Sequence, residues 1–464
     1  MEQMTTVQIR VAMLLEGTDK PKVKQLSINR MKKQLLKIGC LLSVLFLFTS
    51  CVKDDVAYLV VKLEDTESFY SRYEVSHLGS WCLCEDRVLA DYVQYNGSWI
   101  GIEKVIFPPN YVKYKFLEGE CFRGVTPKNV SIPSSVTWIR EDTFSCCFNL
   151  TSVDIPSSVF RIDKGAFRGC KSLTSVDIPS SVTEIGYGAF FGCSSLSSIE
   201  IPSSVTEIER DAFWDCSSLT SVEISSSITE IRDGVFSGCK SLTSVDIPSS
   251  VTEIGYGAFR GCSSLSSIEI PSSVTEIGGD AFRRCSSLTS IEIPLSVTKI
   301  RDGAFRKCSS LTSIEIPSSV TWIGYDVFSD CSSLTYMTVE EGNSNYDSRG
   351  NCNAIIETSS NTLISGCKST TIPSSVTEIG HSAFSFCSSL TSIEIPSSVT
   401  KIGGDAFLDC KSLKSMYLRA TTPPSLGSSA FSSCPANFYV PMEAVEAYKN
   451  AEGWSKYASR IVGY

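Results

Sequence analysis

The sequence predicts a β-rich solenoid built of 23-residue coils. Cysteines fall at 147, 170, 193, 216, 239, 262, 285, 308 and 331, always 23 residues apart. Phenylalanines keep the same beat at 144, 167, 190, 213, 236, 259, 282, 305 and 328. The stretch 170–208 recurs at 239–277 with one change, Phe191 against Arg260. A fixed period of this length marks stacked units that bury a common core, because one unit cannot hide its apolar side alone.

One coil shows how each part arises. In "SLTSVDIP", Leu173, Val176 and Ile178 are apolar, and Ser175 and Asp177 alternate with them. Alternation of period two describes a half-buried strand. Pro179 lacks an N–H and ends it, and the two serines that follow turn the chain. "VTEI" sends Val182 and Ile185 inward and leaves Thr183 and Glu184 outside. "GYGAFFGC" is too short for a full helix, so a short helical turn is expected, with Ala189, Phe190 and Cys193 as core plugs. The coil then returns to its start one strand spacing further on, about 4.8 Å.

The beat breaks between Cys331 and Cys387. There "NAIIE", "TSSN" and "TLISGC" read as strand, turn and strand, a β-hairpin over about 353–364 that projects from an insertion at about 340–367. The repeat region is expected over 105–434. Residues 435–464 depart from the repeat and form a C-terminal cap, because an open sheet end recruits other strands. Pro441 suits a first helical turn there, and Val445, Tyr448, Trp454, Tyr457 and Ile461 are placed to cover the last coil. Residues 51–104 form the opposite linker and cap, with strand-like alternation in "AYLVVKLED".

Residues 31–50 read as an export signal. Lys32, Lys33 and Lys37 precede an apolar run from Ile38 to Phe48 that is too short to span a bilayer comfortably. Thr49 and Ser50 lead to Cys51, and this end resembles a lipoprotein signal, which implies that Cys51 is the acylated first mature residue. "VKDD" after it resembles the export tag of surface-displayed lipoproteins. The implied location is a lipid-anchored, surface-exposed outer-membrane position, with the membrane as a partner through the acyl chains. Residues 1–30 read as a disordered extension ahead of the natural-looking start at Met31.

The recurring pattern C-x-x-L-x-x-[VI]-x-I-P-S-S-V-T-x-I-x-x-x-A-F-x-x-C closely resembles the BspA-like leucine-rich-repeat family of surface proteins. The match spans about 130–434. The resemblance implies a leucine-rich-repeat solenoid with parallel strands on a concave face. It also implies an extracellular protein that binds other proteins, some members being adhesins.

Charge and composition narrow the partners. The chain carries 41 Lys and Arg against 50 Asp and Glu. Removing residues 1–50 takes away eight of those basic and three of those acidic residues, leaving a formal charge of −14. Nucleic acid is excluded as a partner, since phosphate neutralisation needs clustered cations. Only His77 and His381 are present, and no G-x-S-x-G, Walker loop or H-E-x-x-H occurs, so no enzyme, cofactor or metal site is expected. "CLC" at Cys82 and Cys84 beside His77 is a weak metal pattern.

Three groups of candidate residues remain. The outward strand position carries Asp154, Asp177, Glu200, Glu223, Asp246, Glu269, Glu292 and Glu315 in consecutive coils, and Glu394 later. Like charges at strand spacing repel one another, so this column reads either as a strip for cationic protein segments or Ca²⁺, or as one solubilising choice copied by duplication. Trp138, Tyr187, Trp214, Tyr256, Trp322 and Tyr325 are candidate aromatic contacts, and they keep a glycan-binding alternative in play beside a protein-binding face and a plain spacer. The cysteine ladder reads as core plugs, because stacked equivalents sit somewhat beyond disulfide separation. Cys352 and Cys367, which flank the hairpin, are the candidate disulfide pair.

Overall fold

The computed structural model describes residues 128–464, apart from 133 and 135, and the backbone of short strands ahead of them. The signal segment at 31–50 and Cys51 lie outside the described residues. The chain divides into two compact units, Met1–Leu219 and Thr220–Tyr464. Each contains a stretch of parallel-strand β-solenoid.

In the first unit, an antiparallel sheet precedes the coils. Val56–Lys62 pairs with Tyr70–Ser76 and with Ser98–Ile106, and the first of these carries the alternation seen in "AYLVVKLED". Arg10–Ala12 joins Tyr70–Ser76, so the leading extension contains a strand where the sequence suggested none. Ser98–Ile106 then pairs in parallel with Asn129–Ser131, which pairs with Ser152–Asp154. The antiparallel sheet therefore occupies the edge of the first parallel row. A second row runs through Phe116–Leu117, Trp138–Ile139, Arg161–Ile162, Glu184–Ile185 and Glu207–Ile208.

The second unit repeats both rows. Ser221–Glu223 pairs with Ser244–Asp246, and Ser313–Ile316 with Tyr336–Val339. Its second row begins Glu230–Ile231, Glu253–Ile254, Glu276–Ile277, Lys299–Ile300 and Trp322–Ile323. Each of these pairs joins residues 23 apart, such as Glu253 with Glu276, which is the sequence period expressed as register. Valine and isoleucine alternate inward from both rows and are buried.

The third side of each coil holds the Ala–Phe–Cys plug. The short helical turn takes the form of consecutive i→i−3 turns, as in Cys170 N–H to the Phe167 carbonyl at 3.2 Å. Alternate amides point along the stack instead: Phe167 N–H donates to Ala189 and Gly169 N–H to Phe191, at 2.7 and 2.6 Å. This alternation needs two left-handed residues per coil, four apart. Gly165 and Gly169, Gly257 and Gly261, or Asp405 and Asp409 supply them. Glycine adopts positive φ freely and aspartate tolerates it. Arg284 and Lys307, both with φ 66°, hold the same conformation at a steric cost.

Phenylalanine rings stack along the core of each unit. Phe144, Phe167, Phe190 and Phe213 lie 5.2–5.4 Å apart between centroids. Phe236, Phe259, Phe282, Phe305 and Phe328 follow at 5.5–5.7 Å. Rings in adjacent coils are nearly parallel, with 14° the largest angle among these pairs.

The hairpin forms, with Ala354–Glu357 antiparallel to Thr362–Gly366. It does not project, however. Thr362–Gly366 pairs in parallel with Glu378–Ile379 and so serves as a rung of the second row. Ala354, Ile355, Ile356 and Leu363 are fully buried, because "AIIE" offers consecutive apolar residues to the core rather than one wet face. Tyr346–Asp347 adds a third strand, and the Tyr346 hydroxyl accepts from the Ile323 amide at 3.1 Å.

The C-terminal segment extends the first row before it covers the core. Ser392–Ile395, Ser415–Leu418, Asn437–Val440 and Ile461–Gly463 are successive parallel strands. Pro441 precedes a short 3₁₀ turn, Met442–Ala444, and the helix Val445–Asn450. Trp454 and Tyr448 are fully buried. The indole N–H of Trp454 donates to the Pro424 carbonyl at 2.8 Å, and the Tyr448 hydroxyl to that of Ala420 at 3.0 Å.

Releasing the left-handed strain tests the turn geometry. Arg284→Gly is expected to raise unfolding stability by about 1 kcal/mol, and Gly261→Ala to lower it by a similar amount. Both are read as shifts in the urea midpoint at constant slope. Phe282→Ala, which opens the ring stack, is expected to cost about 3–5 kcal/mol in the same assay.

Candidate binding face

The outward side of the first row is the most distinctive surface. Asp154, Asp177, Glu200, Glu223, Asp246, Glu269, Glu292 and Glu315 are all exposed. Register places like on like within the second unit, Glu223 beside Asp246. Among the described residues none of these eight carboxylates has an ion-pair partner. The strand between them sets both their spacing and their direction, since the flanking Val and Ile are held inside.

Glu394 differs. Arg419 grips it with two hydrogen bonds of 2.9 Å, holding its carboxyl below the usual range. The guanidinium also lies 5.2 Å from the Tyr464 ring centroid and donates to the Tyr464 hydroxyl at 2.8 Å.

Several charges of the second row are paired internally. Glu184 meets Arg161 at 2.8 Å, though burial outweighs that pairing and raises its carboxyl pKa. Arg301 bonds Glu276 and lies 5.5 Å from the Trp322 ring. Trp138 is flanked by Arg140 and Arg161.

The six candidate aromatics do not converge. Trp138 and Trp322 belong to second-row strands. Trp214 stacks on Phe191 at 6.0 Å. Tyr187, Tyr256 and Tyr325 sit on the turn side, exposed, and three coils apart. The Tyr256 hydroxyl donates to Asp280 at 3.1 Å, and Tyr325 meets His381 edge to face at 5.3 Å.

A model of the BspA-type leucine-rich-repeat region matches residues 95–220, 212–335 and 354–446, well over half of the chain. The chain belongs to the BspA-type leucine-rich-repeat family. Its coils resemble a leucine-rich-repeat protein from Bacteroides ovatus at 26% identity and a TM-score of 0.57, over 90% of this chain and 100% of that one. A leucine-rich cell-surface protein from Faecalibacterium prausnitzii matches at 26% identity and a TM-score of 0.41, over 73% and 92% of the two chains. No curated protein matches.

The structure also gives the cysteines of this BspA-type protein a second task. Besides filling core space, the thiols of Cys170, Cys193, Cys216, Cys262, Cys285, Cys308, Cys331 and Cys410 each donate to the phenylalanine carbonyl 26 residues earlier. Cys170 reaches Phe144 at 3.1 Å, and Cys262 reaches Phe236 at 3.2 Å. Cys352 and Cys367 are free thiols rather than a disulfide. Cys352 faces the Ala354 carbonyl at 3.6 Å and Cys367 that of Asn353 at 3.4 Å. Cys82, Cys84 and His77 lie outside the described residues. Among the described residues no three His, Cys, Asp or Glu side chains converge to hold a metal, and no helix is long and apolar enough to cross a membrane.

Two surface groups escaped the sequence reading. Arg260, Arg283 and Arg306 recur at the repeat spacing on the turn side. Asp280 sits 2.9 Å from Arg283 and 3.7 Å from Arg260, and Asp326 lies 3.5 Å from Arg306, so acidic neighbours offset this row. The other group is aromatic. Tyr417 pairs in register with Glu394, Tyr439 with Tyr417, and Val462 with Tyr439, so tyrosines take over the acidic column near the chain end. The signal was present, since Tyr417 stands one period after Glu394, but Tyr439 comes 22 residues later and breaks the count.

Burial pushes the Cys387 thiol up to about 12, and the other ladder thiols such as Cys285 rise for the same reason. Native protein at pH 8 is therefore expected to leave these thiols unreacted with a disulfide reagent, and unfolded protein to release them all. A folded pKa above the unfolded value, about 8.5, stabilises fully below that pH. Stability is thus expected to decline as pH climbs from about 9 toward 12, measured by urea titration at stepped pH.

Proposed function

We propose that this leucine-rich-repeat protein is a non-enzymatic, lipid-anchored cell-surface protein whose first sheet face captures basic segments of an extracellular protein, as in adhesion to a host or neighbouring cell. The observation that carries this reading is the exposed carboxylate column, for which the described residues supply no counter-ion. Within each unit the backbone ladder holds the charges at fixed spacing, so a cationic partner meets a pre-organised field rather than a flexible tail. The leader ending at Cys51 supports the anchored location.

Neutralising Glu223, Asp246, Glu269 and Glu292 to their amides is expected to weaken capture of a basic protein ligand about tenfold and to flatten its salt dependence. Binding that keeps its affinity and salt slope would remove the strip from the interaction. Cys51→Ala is expected to move the protein from the membrane fraction to the soluble fraction, and retention in the membrane would count against acylation.

A further inference from the structure

The outward column of the first row changes chemistry near the end of the chain. Up to Glu315 it is acidic. Thr338 follows in register with Glu315; beyond the insertion the repeat places Thr371 one period before Glu394, and Glu394, Tyr417, Tyr439 and Val462 then stand in register in a separate parallel sheet. Tyr417 and Tyr439 stack at 4.9 Å between centroids, and Tyr464 meets Tyr417 edge on at 6.1 Å. These rings are not part of the core. Met416, Leu418, Phe438 and Val440 fill the inside of the same strands, and the tyrosines alternate outward. Tyr464 is 45% exposed and Val462 42%, and Tyr417 and Tyr439 are half-buried by one another and their neighbours. The cap residues Trp454 and Tyr448 pack on the core side, so the cap does not account for them. A solvated face needs no aromatic cluster, whereas tyrosine and arginine are the side chains that concentrate binding energy at interfaces.

Arg419 shows what such a surface holds. Its guanidinium is bonded through two nitrogens to the Glu394 carboxylate, lies over the Tyr464 ring, and donates to the ring hydroxyl. One arginine of the chain itself thus bridges a carboxylate of the column to a tyrosine of the cluster.

We propose that Tyr417, Tyr439 and Tyr464 form the anchor point for an arginine-bearing extended segment of the protein partner, which lies along the acidic column and seats a guanidinium on the tyrosine faces as Arg419 does. This rests on the reading of the acidic face given above and adds where and how the partner is gripped. Charge complementarity selects a cationic polypeptide, since the carboxylates repel acidic sugars and give a neutral glycan nothing to follow. Arginine exceeds lysine here, because a planar guanidinium both stacks on an aromatic face and pairs two-pronged with a carboxylate.

The test uses the whole chain from residue 51 and two fluorescent decapeptides of equal charge, one of alternating Arg and Ser, the other of alternating Lys and Ser, followed by anisotropy. The wild type is expected to prefer the arginine peptide. Tyr417→Thr/Tyr439→Thr, with β-branched replacements suited to a strand, is expected to lose about five- to thirtyfold in affinity for the arginine peptide and most of the preference, with the salt slope unchanged. Tyr417→Phe/Tyr439→Phe, which keeps the ring faces, is expected to bind as the wild type does. Circular dichroism and the urea midpoint confirm that each variant is folded. If both peptides bind and the threonine variant retains full affinity and preference, the anchor is refuted while the acidic face stands. If neither peptide binds at low salt, both readings fall. Neutral oligosaccharide binding that vanishes in the threonine variant while peptide binding persists would reassign the cluster to a glycan.

Discussion

Each coil must come back to its starting point displaced by one hydrogen-bonding distance, and most of the architecture follows from that closure. Backbone amides on both strand rows and on the turn side then meet carbonyls of the neighbouring coil, so every position stacks on its own equivalent. An aliphatic at an inward position lies on another aliphatic, and Phe259 lies on Phe282 at 5.6 Å. A polar residue admitted to the inside would be multiplied along the stack, and each copy would carry a desolvation cost. Cysteine satisfies this demand on the turn side. It is small and apolar enough to be buried, and its S–H gives the phenylalanine carbonyl a second donor at 3.0–3.2 Å.

The same closure explains the turn side. Six residues must reverse direction, deliver an Ala–Phe–Cys triplet inward, and still send alternate amides along the axis. A helical turn directs all its amides one way and cannot do this. Two left-handed residues solve the problem, which is why Gly and Asp crowd the positions before Ala and before Cys.

How much of this was readable in the residues varies with how local the cause is. The period, the strand alternation, the Phe and Cys plugs and the covering role of Trp454 all follow from patterns within one or two coils. The hairpin was visible as two apolar runs around "TSSN", yet its burial was not, because nothing local says that Thr362 pairs with Glu378. The exposure of the acidic column was legible from alternation. The absence of counter-ions was not, since it depends on which long cations reach across coils, as Arg161 does to Glu184. The tyrosine cluster stayed hidden because Tyr439 breaks the count by one residue and because Tyr464 reaches Tyr417 only through a final strand, Ile461–Gly463, that no repeat announces.

The near-identity of 170–208 and 239–277 carries an evolutionary consequence. A globular core must be re-solved when a segment is inserted, but a rung that touches only its two neighbours finds the same neighbours after copying. Reach therefore becomes a heritable quantity, lengthened or shortened by whole turns of the gene without a new packing problem, while the terminal segments and whatever they grip stay unchanged.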